Sequence, residues 1–168
     1  MILAPRHLER LPEVTETLSA LQLPPGRRSD PNRPSDRSVL LLDTTGELGR
    51  FYAAADVAFV GGTLVPIGGH NLLEPAVFGT PIVVGPHLKT VRDTASLFAE
   101  VGALVEVKDA AALAACVETM FASPAASRQR GAAAQGLIES RRGAAALCAE
   151  TILAGLRCGA ARERMSDG

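Results

Sequence analysis

Val57-Ala58-Phe59-Val60-Gly61-Gly62 opens the stretch that decides the fold. It continues through Gly68-Gly69-His70-Asn71-Leu72-Leu73-Glu74 to Phe78-Gly79, and closes on Pro81-Ile82-Val83-Val84-Gly85-Pro86. The two short apolar runs have the unbroken hydrophobicity of strands buried on both faces. Between them, Leu72 to Phe78 reads as a helix stopped by Gly79. Strand, helix and strand in this order give a crossover unit, and hence a parallel pair with a right-handed connection.

The same grammar extends in both directions. Val91 to Val101 reads as a helix, and Ala103-Leu104-Val105-Glu106-Val107 as the strand after it. Upstream, Val39-Leu40-Leu41-Leu42 is a buried strand and Gly46 to Ala55 a short helix. Ile2-Leu3-Ala4 is the end of a strand cut off at Pro5. Leu8, Leu11, Val14, Leu18 and Leu21 then recur at helical spacing, with Pro12 marking the first turn. Residues 22–38 carry Pro24, Pro25, Pro31 and Pro34 beside Arg27, Arg28, Arg33 and Arg37. They read as a mobile solvated loop, with a basic phosphate- or lipid-facing loop as the alternative. From Asp109 the chain is alanine-rich and helical, broken at Ser123-Pro124; Arg162 to Gly168 reads as a frayed tail. The expected fold is α/β: a Rossmann-like parallel sheet with helices on both faces.

Composition narrows the function. The chain has 168 residues, 47% hydrophobic and 21% charged, which suits one packed domain rather than disorder. A formal net charge of −1 argues against gripping nucleic acid by charge. Five Phe, one Tyr and no Trp leave little for stacking bases or sugars. No apolar run reaches the length of a membrane helix, and no signal-peptide pattern follows Met1. Cys116, Cys148 and Cys158 are an odd number without metal-type spacing, as expected of a reducing cytoplasmic setting.

In parallel sheets ligands sit beyond the carboxyl ends of the strands. There the sequence places Pro5-Arg6-His7, Asp43-Thr44-Thr45-Gly46-Glu47-Leu48, Gly61 through Glu74, and Gly85-Pro86-His87. Gly61-Gly62 and Gly68-Gly69 before a helix suggest a phosphate cradle, because glycine admits close approach and a helix start offers free N–H groups. No Gly-Lys-Ser/Thr follows, so this is not a Walker loop, and the spacing is not a dinucleotide fingerprint. Asn71-x-x-Glu74 and Thr44-x-x-Glu47 fit capping boxes; alternatively each carboxylate accepts from two ribose hydroxyls. Arg6 has the donor fork that suits a phosphate. His7, His70 and His87 lack metal-type spacing and read as hydrogen-bonding or structural groups.

Taken together, these segments resemble the carboxyl half of 3-deoxy-D-manno-octulosonic acid (Kdo) transferase, a two-domain GT-B glycosyltransferase of lipopolysaccharide assembly. The motifs stand in family order and span residues 1 to about 110. The resemblance implies a donor domain over residues 1–157 that binds CMP-Kdo, followed by a flexible tail at 158–168. Pro5 and Arg6 would contact the nucleotide and its phosphate. Thr45, Gly46, Glu47 and Leu48 would line the nucleotide pocket. Gly62, Gly69, His70, Asn71, Leu72, Leu73 and Glu74 would complete the donor site, with Asn71 to Glu74 holding phosphate and ribose. Leu72 stands where the family often has Pro.

The family's amino-terminal domain, which binds the lipid A precursor, supplies the proposed base and touches the membrane, has no counterpart in these residues. The first strand–helix unit of the donor domain is also expected to be missing. The resemblance therefore implies no catalytic residue, metal or cofactor here, and no nucleic-acid partner. Its intact setting is the cytoplasmic face of the bacterial inner membrane. Alternatives from other classes are a free-standing nucleotide-sugar-binding module, an inactive remnant and a nucleotide-sugar epimerase.

Overall fold

The computed structural model describes residues 1–143, Cys148 and 151–153. Six strands and six α-helices are defined within it: β1 (Ile2–Leu3), α1 (Leu11–Ala20), β2 (Gly26–Arg27), β3 (Leu40–Leu41), α2 (Leu48–Ala53), β4 (Ala58–Phe59), α3 (Leu73–Val77), β5 (Ile82–Val84), α4 (Arg92–Glu100), β6 (Leu104–Glu106), α5 (Ala110–Ala122) and α6 (Pro124–Ser140). A 3-10 turn, Leu8–Arg10, leads into α1, whose first turn holds Pro12. The tail read at 158–168 lies outside the described residues.

Every strand pairing is parallel, as the crossover grammar requires. Side-chain alternation along β5 shows how the layers form. Ile82 and Val84 pack with Leu72, Ala76, Ala95, Phe98 and Ala134, from the α3, α4 and α6 side. Val83, between them, packs with Met120 and Leu113 of α5 on the opposite face. Helices thus cover both faces of β5, and all three of its residues are fully buried. Burying side chains such as Phe98 and Ile82 contributes about 1.5–3 kcal/mol each.

Two expectations need correction. The loop at 22–38 contains β2, which pairs with β3 in the register Gly26↔Leu40 and Arg27↔Leu41. The expected α/β parallel architecture is present, its strands in two parts rather than one continuous sheet, ordered β1-β3-β2 and β4-β5-β6. β1 and β4 are therefore edges. Leu40 N–H donates to the Met1 carbonyl and Leu42 N–H to that of Leu3, so the backbone groups of Ile2 point away from β3. Ala58 N–H donates to Pro81 and Val60 N–H to Val83, so those of Phe59 point away from β5. Ile2 is 43% exposed, and Phe59, in a run read as a buried strand, is 37% exposed.

At the carboxyl end of the molecule, α5 and α6 meet at 104° across Ser123. Asp109 caps α5 by accepting from Ala112 N–H at 2.8 Å. Among the described residues, no single helix is long and apolar enough to cross a membrane.

Candidate functional site

The segments after β1, β3, β4 and β5 share the carboxyl end of the parallel strands, where such sheets bind ligands. The loop from Gly61 to Asn71 is organised by Thr63, which is fully buried. Its hydroxyl donates to the Val60 carbonyl at 2.6 Å and accepts from Gly85 N–H at 2.8 Å. Its carbonyl accepts from His87 N–H at 2.9 Å, so one threonine ties the loops after β4 and β5 together. Thr90 Oγ1 donates between the carbonyls of Gly68 and Gly69, at 2.6 and 2.8 Å. The sequence placed Thr63 in the glycine-rich loop but did not show this tying role, and it did not single out Thr90, because neither hydroxyl's partner is signalled by local sequence.

This wiring corrects the expected glycine cradle. The N–H groups of Gly68 and Gly69 both donate to the Gly62 carbonyl at 3.1 Å, so neither is free for an anion. What Gly69 contributes is shape: its φ is +90°, and an added Cβ would stand 2.9 Å from Thr63 Cγ2. The N–H groups of His70, Asn71 and Leu72 form no hydrogen bond among the described residues. They are free donors, as are the N–H groups of Gly61 and Gly62 among the described residues.

The capping boxes also differ from expectation. Leu72, not Asn71, is the N-cap of α3. Asn71 Oδ1 accepts from Leu73 N–H at 2.9 Å, and Asn71 Nδ2 donates to Glu74 Oε1 at 3.1 Å. Glu74 is therefore oriented by a side-chain amide and keeps Oε2 open. Burial first, and then the Glu74 charge, push the Tyr52 hydroxyl pKa up. Glu47 is itself the N-cap of α2 rather than its third residue. Its Oε2 accepts from Thr44 Oγ1 at 2.6 Å and its Oε1 from Arg28 Nη2 at 2.9 Å. Both helices are short, six and five residues, so individual N–H groups matter more here than a helix macrodipole.

An open cleft of about 500 Å³ gathers Arg6, Gly69, His70, Asn71, Leu72 and Leu73 with Thr90, Val91 and Thr94 of the α4 entry. Arg6 follows β1 and His70 follows β4, so the carboxyl ends of the two sheets open on one cleft. The Arg6 guanidinium is exposed and forms no ion pair or hydrogen bond among the described residues. Burial, then the electrostatic effects of Arg6 and His7, hold the His70 imidazole below its ordinary 6.5, which favours its neutral form at pH 7. A cation, a neutral imidazole and three free amides around one cleft form a setting for an anion. Of the other expected residues, Pro5, Gly62 and Glu74 flank the cleft in sequence without lining it. Thr45, Gly46, Glu47 and Leu48 form a separate turn at the start of α2, outside the cleft walls.

No family model matches the chain. Curated proteins do. The 3-deoxy-D-manno-octulosonic acid transferase of Bordetella pertussis is 38% identical over 148 residues, covering 86% of this chain and 34% of that protein. The enzyme of the same name from Haemophilus influenzae is 36% identical over 146 residues, again covering 86% and 34%. This chain thus spans about a third of the length of these relatives. Among solved structures, the C-terminal CMP-Kdo binding domain of WaaA from Acinetobacter baumannii superposes with a TM-score of 0.77 at 37% identity. That match covers 82% of this chain and 72% of that domain. A sucrose-phosphate synthase from Thermosynechococcus elongatus, 21% identical with a TM-score of 0.56, shares the fold alone. Sequence identity over most of the chain and a shared domain structure agree: this chain belongs to the 3-deoxy-D-manno-octulosonic acid transferase family, as part of its carboxyl-terminal half.

Proposed function

We propose that the chain is the donor-binding portion of a Kdo transferase, and that the cleft holds the phosphate of CMP-Kdo. The observation that carries this is the pairing of the unpartnered Arg6 guanidinium with the free amides of His70, Asn71 and Leu72 on one cleft. The similarity to a domain described as CMP-Kdo binding supports the choice of nucleotide. In this reading Arg6 and the amides receive the phosphate. Glu74 accepts from the ribose hydroxyls through its open oxygen, and the turn Thr45-Gly46-Glu47-Leu48 faces the nucleoside.

In the transfer, a hydroxyl oxygen of a lipid A precursor bonds to the anomeric carbon of Kdo with inversion. The bond from that carbon to the phosphate oxygen breaks, and CMP leaves with the electron pair. The hydroxyl proton passes to a base, which we assign to the portion of the enzyme outside this chain. Arg6 and the amides stabilise the charge gathering on the leaving phosphate, so the reading assigns no cofactor or metal to this step. Acceptor binding and association with the cytoplasmic face of the inner membrane fall to that same outer portion. We therefore read the chain alone as inactive. We also read the open edges of β1 and β4 as the seat of a further parallel strand from a strand–helix unit of the whole enzyme. Calorimetry on Arg6→Ala tests the phosphate role: CMP affinity should fall by about 1–3 kcal/mol, the size of a charge-assisted contact. Unchanged affinity would remove Arg6 from the site.

A further inference from the structure

The segment Arg28-Ser29 is stitched to the turn after β3. Arg28 N–H donates to the Leu41 carbonyl at 2.9 Å, extending the β2–β3 pairing by one bond. Immediately beyond, Arg28 Nη2 donates to Glu47 Oε1 at 2.9 Å. The N–H and hydroxyl of Ser29 donate to Asp43 Oδ1 and Oδ2, at 2.9 and 2.6 Å. With Thr44 on Glu47 Oε2, the two carboxylates that bracket the turn are each held at both oxygens. The Arg28–Glu47 pair is only partly exposed, at 38% and 24% of the side chains, which distinguishes it from a solvated rim pair.

This wiring changes what the turn can offer a ligand. Glu47 is spent inward, on Arg28 and Thr44. Thr45 and Gly46 remain exposed, and their N–H groups form no hydrogen bond among the described residues. Gly46 sits at φ +80°, where a side chain would be strained. We propose that Arg28 is a positioning residue for nucleotide binding. It clamps Glu47 as a strut, so that the Thr44–Leu48 turn presents the Thr45 and Gly46 amides to the nucleoside part of the donor. Glu47 is then a support rather than a ligand to the ribose. This inference rests on the donor-binding reading above.

A double-mutant cycle on CMP affinity, with thermal unfolding measured alongside, tests it. Arg28→Ala and Glu47→Gln should each weaken CMP binding by about fivefold, and the double variant by no more than either alone, because the two side chains act as one unit. Arg28→Lys, which keeps one donor and the charge, should recover part of the loss. If the single losses multiply in the double variant, Arg28 touches the nucleotide itself and the positioning role is wrong. If CMP affinity is unchanged while the melting temperature falls, the pair is a structural staple only, and the inference fails alone. If the unaltered chain binds no CMP, the donor-binding reading fails and takes this inference with it.

Discussion

His70 lines the cleft with a shifted pKa. Burial first, and then the electrostatic effects of Arg6 and His7, lower its pKa below 6.5. A group whose folded pKa is depressed binds its proton less readily than in the unfolded chain. Its contribution to stability is complete above the unfolded value and is lost as pH falls through the folded value. A phosphate in the cleft reverses the local balance, because an anion favours imidazolium. Bound CMP should therefore raise the His70 pKa. A histidine NMR titration with and without CMP reads this directly. An unmoved His70 pKa would place the phosphate elsewhere. Glu74 allows a complementary separation. Its Oε1 only accepts from Asn71, which a Gln oxygen can also do. Glu74→Gln should leave the melting temperature nearly unchanged yet reduce CMP affinity, since the open carboxylate oxygen becomes an amide nitrogen. A large stability loss at constant affinity would make Glu74 a purely local structural residue.

Elements set the height of the site on the sheet. α6 crosses α3 so closely that a Cβ on Gly131 would collide with the Gly79 carbonyl, and Gln135 Nε2 donates to the Val77 carbonyl at 3.2 Å. Gly131→Ala should therefore destabilise the fold by about 1–3 kcal/mol through overpacking against backbone. Gly136, further along α6, has nothing within 4 Å of its Cβ position. Gly136→Ala should stabilise by about 0.5–1 kcal/mol through helix propensity alone. Urea denaturation of both variants checks the pair, and equal effects would disprove the close crossing. The stitch between β2 and the turn has its own pH dependence. The Thr44 hydrogen bond has the largest effect on Glu47; burial opposes it, and the Arg28 hydrogen bond and charge leave the net pKa below 4.5. For Asp43, burial pushes upward, but the Ser29 hydrogen bonds outweigh it and the net shift is below 3.8. Lowered carboxylate pKa values give stability that is present above the ordinary values and lost as pH falls through the folded ones. The protection factor of the Ser29 amide should accordingly fall as pH drops below 4. How legible an element was depended on whether its cause is local. Ile82-Val83-Val84 announced itself, because three consecutive apolar residues need cover on two faces. β2 did not: Gly26-Arg27 has neither apolar character nor periodicity, and only its pairing with β3 makes it a strand. The polar residues Arg6, His70 and Asn71 that line the cleft follow strands, the position from which the sequence singled them out. Hydrogen-bond assignments were not legible in this way, because Arg28 reaches Glu47 across 19 residues of chain.

Across the whole molecule, two three-stranded parallel sheets open on one cleft, with Ile2 and Phe59 presenting unpaired backbone at the edges. Such edges recruit other strands. The break was not legible in the sequence, where every apolar run fitted a single sheet, because pairing between distant strands has no local signature. The isolated chain should therefore associate in solution. Co-expression with the remainder of a Kdo transferase should raise its solubility and yield transfer of Kdo from CMP-Kdo to a lipid A precursor. Robust transfer by the 168-residue chain alone would reveal a base that its residues have not disclosed. The central claim is that the cleft belongs to a cytidine nucleotide donor, and side-by-side calorimetric titration of the chain with CMP, UMP and GMP tests it most directly. Binding of CMP in clear preference to the other two is the predicted result; equal affinity for all three, or none for CMP, would contradict it.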